Sequence, residues 1–147
     1  MTKDVIVSIE GLHFGDVPSG DKIEVITPGS YYKKNNHHFV VYDEVIEGSD
    51  EVTKNIVKFD GSALSISKKG FTNFDMVFEK NKRNITNYVT PYGSLLVGVD
   101  ADKIDIDMSE DEINISIAYS LDINYEHLAD CKIKMDIKSN ATFSLQE

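Results

Sequence analysis

From Ile113 to Ile123 the chain alternates without a break. Ile113, Ile115, Ile117, Tyr119, Leu121 and Ile123 hold one parity, and Asn114, Ser116, Ala118, Ser120 and Asp122 hold the other. Successive side chains point to opposite faces only in an extended strand, so a period of two demands one dry face and one wet face. The segment is about twice the usual strand length of roughly 5–6 residues. Strands that long belong to coiled sheets that close, or nearly close, on themselves.

The rest of the chain follows the same grammar. Val5, Val7 and Ile9 open a strand toward Phe14, and Gly15–Gly20 reads as a loop. Ile23 to Tyr32 reads as a strand interrupted at Thr27-Pro28-Gly29, where a type II turn or an edge bulge fits. His37–Ile46 and Val52–Phe59 follow, with Glu47–Asp50 between them and Asp60-Gly61 as a hairpin signal. Ala63–Ser67 and Phe71–Phe78 lie either side of Lys68-Lys69-Gly70, and Lys80–Asn84 reads as a polar hairpin tip. Ile85–Thr90 and Leu95–Val99 flank Pro91-Tyr92-Gly93. Lys103–Met108, the long strand, a tight connection at Glu126–Leu128 and a last strand at Cys131–Ile137 complete the chain.

With no helical period long enough for a parallel crossover, this order predicts an all-β fold. The expectation is a single antiparallel meander β-barrel of about 8–10 strands, one domain over residues 1–147. Closure is favoured over a sandwich because an open sheet of long strands leaves two aggregation-prone edges.

Charge and cysteine usage narrow the partners. A net charge of −10 opposes binding to nucleic-acid phosphate or to an anionic lipid surface, both of which need a Lys/Arg footprint. The single cysteine, Cys131, forms no internal bridge, which fits a reducing, cytoplasmic compartment. In phase with Ala129, Ile133 and Met135, it reads as a buried small hydrophobe. The chain starts without a secretory apolar run, and no stretch approaches a membrane span.

No motif announces catalysis or a cofactor, so no enzymatic activity is expected. The acidic run Asp100–Glu112 fails as a calcium loop in both registers: from Asp100 the fifth position is Ile104, and from Asp105 the twelfth is Ser116. It reads as the wet face of a strand. His37 and His38, being adjacent on a strand, point to opposite faces and cannot share a metal ion.

The segment Thr86–Gly93 is less plain. Thr86, Tyr88 and Thr90 share one parity, and Ile85, Asn87 and Val89 share the other, so neither face is cleanly apolar. Such a strand lies near a rim or lines a cavity. Tyr42 and Glu44 show the same ambiguity opposite Phe39, Val41 and Val45. Whichever face of 85–90 turns inward, its polar groups need partners: a neighbouring side chain such as Glu44 or Lys68, or else a bound small molecule or ordered water inside a cavity.

Gly29 with Tyr31-Tyr32, Tyr42-Asp43-Glu44, Lys68-Lys69-Gly70, the string Thr86-Asn87-Tyr88-Val89-Thr90-Pro91-Tyr92-Gly93, and Ala118-Tyr119 together resemble the YwiB-like family of small bacterial β-barrel proteins. The string at 86–93 is the most specific part. Lys68 stands where the family pattern favours arginine, and Pro28 falls within what the family runs as a strand. The resemblance implies a calycin, or lipocalin-like, barrel and no established activity. Two functions then stand side by side. One is a small-molecule ligand site inside the barrel, with Tyr42, Glu44, Lys68, Thr86, Tyr88, Thr90 and Tyr119 as candidates and no metal or cofactor. The other is an interaction or regulatory module, a homodimer included, that acts through the acidic outer surface over a packed core.

Overall fold

The computed structural model describes residues 3–11, 24–45, 52–70, 73–90 and 93–140, without the side chains of Glu24 and Thr90. Among these residues the chain forms ten strands: β1 (Asp4–Glu10), β2 (Glu24–Lys34), β3 (His37–Val45), β4 (Val52–Phe59), β5 (Ala63–Lys69), β6 (Phe74–Glu79), β7 (Arg83–Thr90), β8 (Gly93–Met108), β9 (Glu112–Ile123) and β10 (Glu126–Ser139). No helix among them is long and apolar enough to cross a membrane. The loops expected at Gly15–Gly20 and Glu47–Asp50, and Pro91-Tyr92, lie outside the described residues.

All neighbours pair antiparallel in the order β6-β5-β4-β3-β2-β1-β10-β9-β8-β7, so the first and last strands lie side by side. The two end strands, β6 and β7, are consecutive in sequence, and their shared turn draws the sheet into a nearly closed barrel. The seam is tied at that turn. Asn81 N–H donates to Ala101 O at 2.8 Å, Lys82 N–H donates to Glu79 O at 3.1 Å, and Asn84 Nδ2 donates to Val77 O at 3.2 Å.

The long alternation behaves as its period requires. Ile113, Ile115, Ile117, Tyr119 and Leu121 are buried in the interior, and Ile123 packs against them half-buried. Val5, Val7 and Ile9 of β1, with Ile133, Met135 and Ile137 of β10, join the same core. The wet parity of β9 has one exception, Asp122, which is buried because Arg83 reaches across Gly98 from β7 to pair with it. A Cβ at Gly98 would press on the Asp122 carboxylate and the Arg83 guanidinium, so the bare backbone there gives the ion pair its room.

Three expected boundaries are corrected. Leu95–Val99 and Lys103–Met108 belong to one strand, β8, whose register shifts between Ala101 and Lys103. A bulge adds one residue and flips the parity, so a continuous strand reads as two. Glu126–Leu128 is not a connection but the start of β10, with a second shift between His127 and Ala129. Thr27-Pro28-Gly29 is neither turn nor bulge, because β2 runs straight through it. Tyr31 N–H donates to Lys3 O on the β1 side, and backbone direction alternates along a strand, so the Pro28 nitrogen faces β3. The β2–β3 ladder stops at Ser30↔Val41, before proline's missing donor would matter.

The end of the barrel near the β2–β3 turn holds a pH-dependent group. His38 faces inward, with Nδ1 2.7 Å from the Tyr31 hydroxyl and its ring stacked 5.1 Å from Phe59, whereas His37 turns outward to Asp60 at 3.5 Å. Burial, followed by the charge of Lys33, lowers the His38 pKa; Asp60 opposes this and His37 adds to it. The unfolded chain therefore binds the proton first as pH falls below about 6.5, and folding stability drops in that window. Asp60, held low by the Ser62 and Ala63 N–H groups, acts separately, below about pH 4. The urea midpoint is expected to fall between about pH 7.5 and 5.5, and His38→Phe to flatten that part of the profile. An unchanged slope in the variant would assign it to other groups.

Candidate functional site

Cross-strand register places the inward side chains in rows around the barrel. One row runs Tyr42 on β3, Asn55 on β4, Lys68 on β5 and Phe74 on β6, each directly opposite the next. Phe74 carries it across the seam to Tyr88 on β7, with ring centroids 4.8 Å apart. Glu44 and Thr53, opposite one another, form the next layer outward. The layer beneath is Val40, Val57, Ile66 and Met76, all buried and apolar. The row is therefore where the interior changes from hydrocarbon to polar.

Within it Lys68 Nζ lies 3.0 Å from Glu44 Oε1, and the same oxygen accepts from Asn55 Nδ2 at 3.5 Å. Asn55 Nδ2 also donates to Thr53 O at 3.4 Å. Both groups around the amide nitrogen are acceptors, which settles the orientation of the Asn55 side chain. Its oxygen is thereby left without a hydrogen-bond partner, although the residue is 0% exposed; Thr53 Oγ1, on a residue 2% exposed, is in the same position. Burial, and then the Glu44 charge, push the Tyr42 pKa well above its usual value, so its hydroxyl keeps its proton.

The Glu44 side chain is 39% exposed although it belongs to the inward parity of β3. Thr86 and Tyr88, also inward, are half-buried, while Ile85 and Val89 face out. Among the described residues, then, Glu44, Thr86 and Tyr88 keep some contact with solvent while Asn55 is fully buried.

The expected site residues are thus only partly brought together. Tyr42, Glu44, Lys68 and Tyr88 share the polar end, and Thr86 lies two residues from Tyr88 on the same face. The Thr90 side chain lies outside the described residues. Tyr119 stands apart as core: it is buried and its ring meets Phe78 edge-on at 5.0 Å. Cys131 is half-buried rather than buried, because it sits toward the β9–β10 turn, and burial raises its thiol pKa. Glu44 and Lys68 satisfy one another across β4 rather than a β7 hydroxyl, since two opposite charges pair more strongly than either pairs with a neutral group. Asn55 and Thr53 were missed in the sequence. Their signal was there: both fall in phase with Val57 and Phe59, polar residues at core positions.

Where the β2–β3 ladder ends, the two strands part around a groove of about 470 Å³ on the outer wall. Pro28, Gly29 and Ser30 line one side and Val41, Tyr42 and Asp43 the other. Gly29 permits the approach there, since a Cβ would lie 2.9 Å from Val41 O and 3.1 Å from Val7 Cγ2. Tyr42 alone belongs to both the groove and the interior row. Among the described residues no group of three or more His, Cys, Asp or Glu side chains is placed to hold a metal ion.

The architecture is similar to that of a solved protein, the crystal structure of ywiB protein from Bacillus subtilis. The TM-score is 0.76 at 23% identity, over 93% of this chain and 92% of that one. In sequence, the chain is 30% identical over 108 residues to the uncharacterized beta-barrel protein YwiB of Bacillus subtilis (strain 168), covering 72% of this chain and 75% of that protein. Residues 7–135 match the profile of a family described as a domain of unknown function, DUF1934. With that match across most of its length, the chain belongs to the DUF1934 family of YwiB-like β-barrel proteins.

Proposed function

We propose that the protein is a non-enzymatic barrel that binds a small amphipathic molecule at the polar end of its interior. One observation carries the reading: the Asn55 oxygen is buried without a partner, beside a Lys68 that is paired with Glu44. A buried acceptor left unsatisfied costs about 1–3 kcal/mol, which a chain selected for stability alone would remove by placing an apolar residue there. Phe74 and Tyr88 supply an aromatic wall for the apolar part of the molecule, and Tyr42, Thr53 and Asn55 supply the few polar groups that orient it.

The experiment is Asn55→Leu, close in volume and without hydrogen-bonding groups, examined by native mass spectrometry and thermal denaturation. The parent is expected to retain a small molecule through gentle purification. The variant is expected to lose that mass while keeping or raising the melting temperature of the ligand-free protein. A parent that carries no mass, together with a destabilised variant, would make Asn55 a structural residue and end the reading.

A second reading, an interaction surface, draws on Ile85 and Val89, 45% and 70% exposed on the outward face of β7 beside the seam. It predicts that Ile85→Ser/Val89→Ser abolishes self-association or partner binding, while Asn55→Leu changes neither.

A further inference from the structure

We infer that the outward face of the β7–β8 hairpin, with Tyr125 beside it, is where a second copy of the chain docks, the two copies meeting by the same face about a two-fold axis. The inference rests on the interaction-surface reading above and names what covers that surface.

The sequence already sets this hairpin apart. Charged residues make up 27% of the chain, yet none of the residues from Asn84 to Val99 carries a charge. On the outward face Ile85 stands opposite Gly98, Asn87 opposite Leu96 and Val89 opposite Ser94. Ile85, Val89 and Leu96 are 45%, 70% and 36% exposed there. The Arg83 guanidinium and the Asp122 carboxylate meet over Gly98 and neutralise one another. The face is therefore apolar at its projecting positions and without net charge.

Tyr125 adds an independent observation. Asn124 and Tyr125 form the two-residue turn between β9 and β10, both with positive φ, 51° and 69°. Such a turn favours glycine at its second position, because a Cβ is strained in the left-handed region. The tyrosine there holds its ring 68% exposed, with the Arg83 guanidinium 5.7 Å from the ring centroid. The turn is tied to the hairpin: Asn124 N–H donates to Leu96 O at 2.7 Å, and Leu96 N–H donates to Asn124 Oδ1 at 3.0 Å. A strained residue that keeps a large ring in solvent beside an apolar face suits a contact made after folding. Charge then selects the partner. Two copies at −10 each repel, so they meet through a face that carries no charge, and an uncharged apolar face is complementary to itself. A basic partner would gain more at the other end of β8, where Asp105 and Asp107 are exposed and Asp136 shares the row of Asp107 through Asn114.

Sedimentation velocity over a concentration series tests this. The parent is expected to form a reversible dimer that tightens several-fold between about 50 and 500 mM salt, because salt screens the repulsion between the two bodies. Val89→Lys is expected to weaken the dimer about tenfold or more by bringing like charges into one interface. Ile26→Lys on β2, at a side chain 66% exposed, is expected to leave it unchanged. Tyr125→Gly is expected to weaken the dimer while keeping or raising the melting temperature of the dilute monomer, a combination that a purely structural tyrosine would not give. A parent that stays monomeric at about 1 mM overturns the second copy. The surface reading then stands only if Ile85→Ser/Val89→Ser releases another protein retained through purification, and falls with it otherwise. A dimer that loosens as salt rises, or that both Val89→Lys and Ile85→Ser/Val89→Ser leave intact, would put the contact on another face and overturn the proposal.

Discussion

Phe78→Ala is expected to destabilise the protein by about 3–5 kcal/mol, in the range found for large aromatic truncations in a packed core. Phe78 is 0% exposed and lies on β6, the strand at one end of the sheet order. Its ring spans the interior to meet Tyr119 of β9 at 5.0 Å and 70°, an edge-to-face contact that adds to the area it buries. Along the seam, the ties to β7 and β8 cluster at the turn around Asn81 and at Asn84. Closure there rests more on side-chain packing across the interior than on a continuous ladder, so the cavity left by alanine is not easily refilled. Urea denaturation at neutral pH measures the loss directly. A change under 1 kcal/mol would mean that β6 collapses onto the vacated space and that the seam is held by other contacts.

Arg83→Met is expected to cost about 1–3 kcal/mol, largely through the partner it abandons. Asp122 is 5% exposed on the face of β9 that otherwise meets water, and the Arg83 guanidinium is what reaches it there. Methionine keeps the aliphatic cover but leaves a carboxylate with little access to solvent. The magnitude is set below that of a fully buried pair because the Arg83 side chain is itself 38% exposed and partly screened. The double variant Arg83→Met/Asp122→Asn is expected to recover much of the loss, since the uncompensated charge is gone. Gly98→Ala tests the same bridge from beneath, by placing a methyl group where the two side chains meet. If Arg83→Met proves neutral, the pair contributes no more than an ordinary surface contact.

The strand at 113–123 could be read from the chain alone because burial on one face imposes alternation on every residue of that face, and β1 and β4 were legible for the same reason. Length and alternation also implied closure. The bulges were not legible, because one extra residue at Ala101–Lys103 reverses the phase of β8 and looks the same as a strand end. Pro28 misled for a related reason: proline forbids a hydrogen bond on one side only, and which side is vacant depends on where the β2–β3 ladder stops.

The candidate site divides along the same line. Tyr42, Glu44, Lys68, Thr86 and Tyr88 could be named from ambiguous parity and from resemblance. The face of β7 that turns inward, the pairing of Glu44 with Lys68 across two strand boundaries, and the removal of Tyr119 into the core were tertiary outcomes. Asn55 shows the division most clearly. Its phase with Val57 and Phe59 is a property of the sequence, but which of its two amide atoms is paired is decided only once Glu44 and Thr53 have met its nitrogen. A periodic pattern is written locally, two residues at a time, and so survives in the sequence. A hydrogen-bond balance depends on which neighbours arrive from 11 and 24 residues away along the chain, and only the folded barrel brings Glu44 to Asn55 and to Lys68.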